Sequence, residues 1–518
     1  MTATPSSALS AKEALTRATA DARKARFADA ASILDESALR HAPSAQAVLL
    51  RARIYLKRDA GAALTYLARS ASRTRAGDAA GVAAILAGVA HARLGDARSA
   101  RACFRDAKAL LGSQSPARAE LAYQQAVALW IERRLNAAEA ALEHASPPEA
   151  GSDLDVEIRV LRGAIAASRG AVAAQGAILI DALPLVAHDD ASVLHRGIVV
   201  AQIASLGCEL PSAALRDAAR REVPRVPWTH DIADVWFDAL RELAWSHALE
   251  GDYFNAFRRL KEAAAVAPSD AWRVVALCDR ASVAAAIGER RWSEQELRDA
   301  LDLADRVVWD SVRGEERFAL AAIAELLAPR DPALALAWVS RWRDLSDRWT
   351  RTLASSNDRR VIALDAFASA TVRAVLGEAA EAERLYRQAW DIYEAIGYDW
   401  RAGRTALRLA KLTGDDKWHE LALMKLRAYP HARWLAAPIT TEEEPAQPPQ
   451  SIDPETFARL TPAQRGVVAL VVRGLRTDAI ARELGRSEHT VRNHLKTIFR
   501  TLGVRTRAAL VARVAGTD

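Results

Sequence analysis

Ser487-Glu488-His489-Thr490-Val491-Arg492-Asn493-His494-Leu495-Lys496-Thr497-Ile498-Phe499-Arg500-Thr501-Leu502-Gly503 opens on a hydroxyl suited to cap a helix and closes on a glycine suited to the left-handed position that ends one. The stretch predicts a single helix of about four turns. At about 100° per residue, Val491, Leu495, Ile498, Phe499 and Leu502 share one arc, the spacing of a face buried against other helices. Arg492, Asn493, Lys496, Thr497 and Arg500 take the other side. A major groove of B-DNA admits such a helix, where guanidinium pairs bidentately with guanine and an Asn amide with adenine. Arg492 and Asn493, near the N-terminal end, are therefore the base-reading candidates. His489 lies on the same side one turn earlier, and Lys496 and Arg500 suit phosphate contacts, which set register without reading sequence. A solvated charged face is the commoner explanation of basic residues on a helix.

The neighbouring residues weigh against that plainer reading. Leu460-Thr461-Pro462 offers Thr461 as N-cap and Pro462 as first helical residue, and Val467, Val468, Leu470 and Val471 give the following helix an apolar face up to Gly474. Thr477 to Leu484 predicts a short second helix with Ile480 and Leu484 inward. Gly485-Arg486 then leads directly into Ser487, the helix, tight turn, helix order of DNA-binding domains. Thr506 predicts the cap of a fourth helix running to Arg513.

Leu460-Thr461-Pro462, Gly474-Leu475, Ile480-Ala481, Leu484, Ser487, Thr490-Val491, His494, Leu502-Gly503-Val504, Arg507 and Leu510-Val511 together resemble the LuxR-type helix-turn-helix, over about 55 of 518 residues. The resemblance implies that the helix opened by Ser487 enters the major groove of double-stranded DNA and that base reading falls on Arg492, Asn493 and Lys496. It further implies a homodimer on DNA, often joined through the fourth helix. Ser487, His489, Thr490, Thr497, Arg500 and Arg507 complete the expected DNA-binding set. The chain departs from the family pattern at Gln464, Gly466, Ala479, Ala509 and Arg486, positions that bear on contacts to RNA polymerase and on operator sequence more than on the fold.

Charge is divided unevenly. Residues 451–518 hold twelve of the 71 basic and six of the 65 acidic groups, which leaves 59 of each elsewhere, so the whole excess of +6 sits at the C-terminal end. Phosphate neutralisation with counterion release supplies the sequence-independent part of DNA affinity, and one basic module on a neutral body fits that need. Only 9 of the 71 basic residues are Lys, so arginine in the DNA-binding stretch follows whole-chain usage and is not itself a sign of guanine recognition.

The residues before this module repeat. Gly88, Gly95, Ala100, Phe104 and Ala107 form a frame in which small residues let two antiparallel helices approach and Phe104 fills the gap between them. The frame returns at Gly251, Ala256, Leu260, Ala263 and Pro268, at Gly288, Leu297 and Ala300, and at Gly377, Ala382, Tyr386 and Ala389. Turns are expected at Arg58, Gly95, Arg133, Gly170, Gly207, Gly251, Gly288, Arg330, Gly377 and Gly414, with steps of 37 to 47 residues. The pattern resembles the tetratricopeptide repeat, with a longer step than its ~34 residues. Such repeats stack into a superhelix whose concave side receives proteins or peptides.

The expected fold class is therefore all-α: a TPR-like α-solenoid of about ten helical hairpins over residues 1–436, a Pro/Glu-rich linker over 437–453, and a four-helix LuxR-type domain over 454–518. The layout resembles that of MalT-like activators without their ATPase module, because no Gly-Lys dipeptide exists to build a Walker A loop. The N-terminus shows helical period and not the strand and carboxylate pattern of a phosphoacceptor receiver. Prolines and like charges from Ala437 to Gln450 suit a tether, and Glu442 to Glu444 could compete with DNA for the basic domain.

Other signals are weaker. No run of 18 apolar residues and no basic-then-apolar leader occur, so a cytoplasmic protein without membrane segments is expected. Cys103, Cys208 and Cys278 are few and far apart, each expected as a small buried residue. Thirteen of 14 Trp lie between Trp228 and Trp434, including Trp338, Trp342 and Trp349, a pattern better suited to filling helix pairs than to a ligand pocket. His188 and His195 with Asp189 and Asp190 match no zinc spacing and suit a polar loop between repeats. With no nucleophile elbow and no His-Glu-x-x-His, no catalytic residue, cofactor or metal is assigned and no enzyme is expected. The leading function is a DNA-binding transcriptional regulator whose repeats bind a protein, peptide or small-ligand signal. The competing one is a TPR scaffold or adaptor with a vestigial or protein-binding C-terminal domain.

Overall fold

The computed structural model describes residues 9–40, 43–132, 134–143, 148–188, 190–287, 289–312, 315–350, 359–429, 460–472, 475, 477–484, 486–502 and 510. The linker, Gly474, Gly485, Gly503, Thr506 and Arg507 lie outside them. Among the described residues the regular structure is helical throughout.

Antiparallel helices follow one another in pairs. The first five pairs are α1 (Ala11–Arg23) with α2 (Phe27–Glu36), α3 (Ala45–Arg58) with α4 (Ala60–Arg69), α5 (Gly77–Arg93) with α6 (Ala97–Leu110), α7 (Ala117–Ile131) with α8 (Leu135–Glu143), and α9 (Asp153–Ser168) with α10 (Val172–Val186). The next three are α11 (Val193–Glu209) with α12 (Ala213–Glu222), α13 (Ala233–Leu249) with α14 (Tyr253–Val266), and α15 (Asp270–Ala286) with α16 (Arg290–Ala304). Then come α17 (Ala319–Leu327) with α18 (Pro332–Thr350), α19 (Arg359–Val375) with α20 (Ala379–Ile396), and α21 (Asp399–Thr413) with α22 (Asp416–Lys425). The C-terminal helices are α23 (Pro462–Val472), α24 (Thr477–Glu483) and α25 (Glu488–Thr501). The chain divides into two compact units, one of residues 1–203, 224–235 and 348–357, the other of 204–223, 236–347 and 358–518.

Recurring Gly-Asp dipeptides make the hairpin turns. Gly95 takes φ 82° and Gly251 φ 78°, the left-handed region closed to most side chains. The following Asp96 and Asp252 then cap α6 and α14, their carboxylates accepting from the backbone N–H of Ser99 and Asn255. Each capping carboxylate also meets the histidine five residues earlier, Asp96 at 3.5 Å from His91 and Asp252 at 3.2 Å from His247. Turn and cap are thus written within six residues, and each cap is worth about 1 kcal/mol.

The frame positions face inward as the repeat reading requires. Ala100, Phe104, Ala107, Ala256, Leu260, Ala263, Leu297, Ala300, Ala382, Tyr386 and Ala389 are all buried. Glycines mark the tightest crossings: a Cβ on Gly403 would stand 2.6 Å from Leu426, and one on Gly81 2.4 Å from Leu111. Trp309 and Trp342 are fully enclosed, and Trp338, Trp400 and Trp418 are buried as well.

Four expectations are corrected. Gly207 lies inside α11, not in a turn, where its missing Cβ lets the backbone of α12 approach at Leu215 and Arg216. A hairpin preceding the Arg58 turn escaped the glycine frame because Ala25, at φ 54°, takes the left-handed position in its turn. Cys103 is half-buried, whereas Cys208 and Cys278 are buried. His195 sits on α11 and not in a loop. Arg133, Asp189 and Gly288 lie outside the described residues.

Candidate nucleic-acid interface

The C-terminal helices are assembled by their caps. Thr461 accepts from the Gln464 N–H at 3.2 Å, and the Gln464 side chain accepts from the Thr461 N–H at 2.9 Å. This is a reciprocal capping box, so a glutamine satisfies the first turn of α23 where the family pattern has glutamate. Ser487 does the same service for α25, its Oγ accepting from the Thr490 N–H at 3.2 Å and lying 2.8 Å from Thr490 Oγ1. Between α24 and α25 the turn is tied back by the Arg486 N–H donating to the Ala481 carbonyl at 2.8 Å.

One side of α25 is sealed. Val491, Leu495, Ile498 and Leu502 are buried with Val467, Val468 and Val471 of α23 and Ile480 and Ala481 of α24. Burying each large aliphatic side chain contributes about 1.5–3 kcal/mol, enough to hold three short helices as a core. Leu460 and Leu470 join this core, as does Leu510, the sole described position of the expected fourth helix. Phe499 and Leu475 pack on its margin, and Ile287, at the end of α15, touches it from the repeats. Leu484 departs from expectation: it is 37% exposed, because the core is already closed by Ile480 and Ala481 and Leu484 falls past the last turn of α24.

The opposite side is open. Ser487, His489, Arg492, Asn493, Lys496 and Arg500 are exposed in the intact chain, and Thr490 and Thr497 are half-buried beside them. Arg492 donates to Glu488 at 2.9 Å across one helical turn, with 68% of the Arg492 side chain exposed. An exposed i, i+4 pair of this kind is worth about 0.3–0.5 kcal/mol, so the guanidinium is readily given up to another acceptor. Arg486, noted in the sequence only as a departure from the family, is exposed next to the Ser487 cap and brings one more cation to the N-terminal end of α25. Among the described residues no group of His, Cys, Asp or Glu is arranged to hold a metal ion.

Residues 458–514 match the family of bacterial regulatory proteins of the luxR type. The segment 458–514 is a LuxR-family helix-turn-helix domain. It contains α23, α24, α25 and every residue of the exposed side of α25. No curated protein matches the chain. Among solved structures, one described as the structure of Naa15/Naa10 bound to HypK-THB aligns at 15% identity over 95% of this chain and 76% of its own, with a TM-score of 0.20. A LuxR-type DNA-binding domain supports a transcriptional regulator. No helix among the described residues is long and apolar enough to cross a membrane.

Proposed function

We propose that this chain regulates transcription by laying α25 in the major groove of operator DNA, with Arg492 and Asn493 on base edges. Lys496, Arg500, His489, Ser487, Thr490 and Thr497 would serve the sugar-phosphate backbone, with Arg486 beside them and, by resemblance to the family alone, Arg507. The observation that carries the reading is the two-sidedness of α25: its apolar side is spent on the core while Arg492, Asn493 and Lys496 stay exposed in the intact chain. Were Asn493 and Lys496 buried or covered by the repeats, no groove could reach them.

The domain acts as a homodimer on DNA and contacts RNA polymerase, by analogy with its family. Residues 454–518 form the DNA-binding part, 437–453 the tether and 1–436 the repeats, which receive a protein, peptide or small-ligand signal in the cytoplasm. The protein works as a regulator and not as an enzyme. The deciding experiment selects bound sequences from a random duplex library with the full-length protein, then measures affinity against salt. A linear fall of log affinity with log salt, with an enriched motif, supports the reading; no salt-dependent duplex binding at low ionic strength removes it.

A further inference from the structure

The repeats of residues 1–203 line a cavity of about 300 Å³. Its wall is built by the first helices of five consecutive hairpins: α3, α5, α7, α9 and α11. Val89, Val127, Ile131, Val160 and Ile198 make that wall mainly apolar, and Phe104 closes one end. Two cations enter it from equivalent places, Lys57 in the last turn of α3 and Arg93 in the last turn of α5.

Among the described residues, neither cation has a carboxylate within ion-pair distance. The Arg93 guanidinium donates to the Leu56 carbonyl, and Lys57 has no direct partner. The acidic residue of this wall is already engaged: Glu157 lies 2.9 Å from His195 Nε2, and Asp153, outside the wall, lies 3.4 Å from His195 Nδ1. Burial alone would lower the His195 pKa, but those two carboxylates override it and raise it to about 9, so the imidazolium holds them both. Lys57 and Arg93 are exposed where they border the cavity, and desolvation by the protein around them lowers both pKa values, outweighing the more distant charge of Glu157 at Lys57. The Tyr123 hydroxyl stands by as a neutral donor, its pKa pushed up by burial.

We propose that this cavity binds a small organic anion, a carboxylate or phosphate monoester on an apolar body, with its charged head on Lys57 and Arg93 and its body against Val127, Ile131, Val160 and Ile198. An anion supplies the two cations with a directly bonded counter-charge, and charge-assisted bonds to it are about twice as strong as neutral ones. The volume suits one small molecule and lies at the lower end of known ligand pockets. The site deepens the reading of the repeats as a signal receiver, and it rests on that reading only for its effect on DNA.

The test is calorimetric titration of the full-length protein with 3-phenylpropionate, phenyl phosphate and the neutral 3-phenylpropanol. Binding of one or both anions, at least tenfold tighter than the alcohol, is expected, and the better anion identifies the head group. Lys57→Met and Arg93→Met should each weaken that binding at least tenfold, while Lys57→Arg retains it; Lys57 makes no structural hydrogen bond, so its variant isolates charge. Failure of both anions, equal binding of the alcohol, or unchanged binding by the Lys57→Met, Arg93→Met double variant overturns the proposal. DNA affinity of the same protein, measured with and without the bound anion, separates the two readings: an anion that binds without altering DNA affinity keeps the site and ends its role as signal.

Discussion

Gly88 of α5 and the Phe104 ring of α6 occupy each other's space so closely that a Cβ on Gly88 would lie 2.5 Å from the ring edge. The ring is itself buried among Ile85, Ala100, Ala107, Leu111 and Leu121, which confine it on the side away from the cavity it borders. A methyl group at position 88 must therefore force the two helices apart. Overpacking of this kind costs about 1–3 kcal/mol, and the better helix propensity of alanine returns about 0.8–1 kcal/mol of it. Gly88→Ala should accordingly lower the thermal midpoint, and adding Phe104→Leu to that variant should recover part of the loss. A Gly88→Ala protein as stable as the wild type would refute this account of the crossing.

The His195 cluster makes stability depend on pH. Its folded pKa of about 9 lies above the ordinary 6.5, so the protonated form is favoured by folding. The contribution is fully present below about pH 6.5 and disappears as pH rises through about 9, and it amounts to at most about 3 kcal/mol. Chemical denaturation across that window should show declining stability, and His195→Gln should flatten the decline. A wild-type slope that survives in the variant would assign the effect to another group.

On the DNA-facing side, Asn493→Ala should relax base preference at one position of the selected site by about 1–3 kcal/mol. Lys496→Ala should weaken all duplexes alike and reduce the salt slope by about 1. Anisotropy titrations on the selected site and on a scrambled duplex distinguish the two. If both substitutions leave binding intact, α25 presents another side to DNA.

Glu488 pairs with Arg492 at 2.9 Å, and under the proposed function it would set a negative charge beside approaching phosphates. Glu488→Gln should tighten binding to any duplex by about 1.4- to 5-fold at low salt, the range expected of an exposed pair worth about 0.2–1 kcal/mol. The same change removes an acidic group from the first turn of α25 and should cost about 0.3–1 kcal/mol of stability. Weaker DNA binding by this variant would show that Glu488 contacts DNA directly or orients Arg492 for it.

Where the physics is local, the sequence was enough. The caps at Ser487 and Thr461, the Gly-Asp turns at Gly95 and Gly251, and the buried arc of Val491, Leu495, Ile498 and Leu502 all follow from interactions three to five residues apart, which helical geometry places in contact whatever surrounds them. Where one helix meets another, only the tertiary structure decided. Leu484 has the right period and is nevertheless exposed, Gly207 serves a crossing and not a turn, and His195 finds Glu157 at a separation of 38 residues. Lys57 and Arg93 carry no local motif; they are brought to one cavity only by the packing of five helices, whose lining carboxylate, Glu157, is engaged by His195. Burial and charge compensation are properties of the assembled neighbours, so no single stretch of chain contains them.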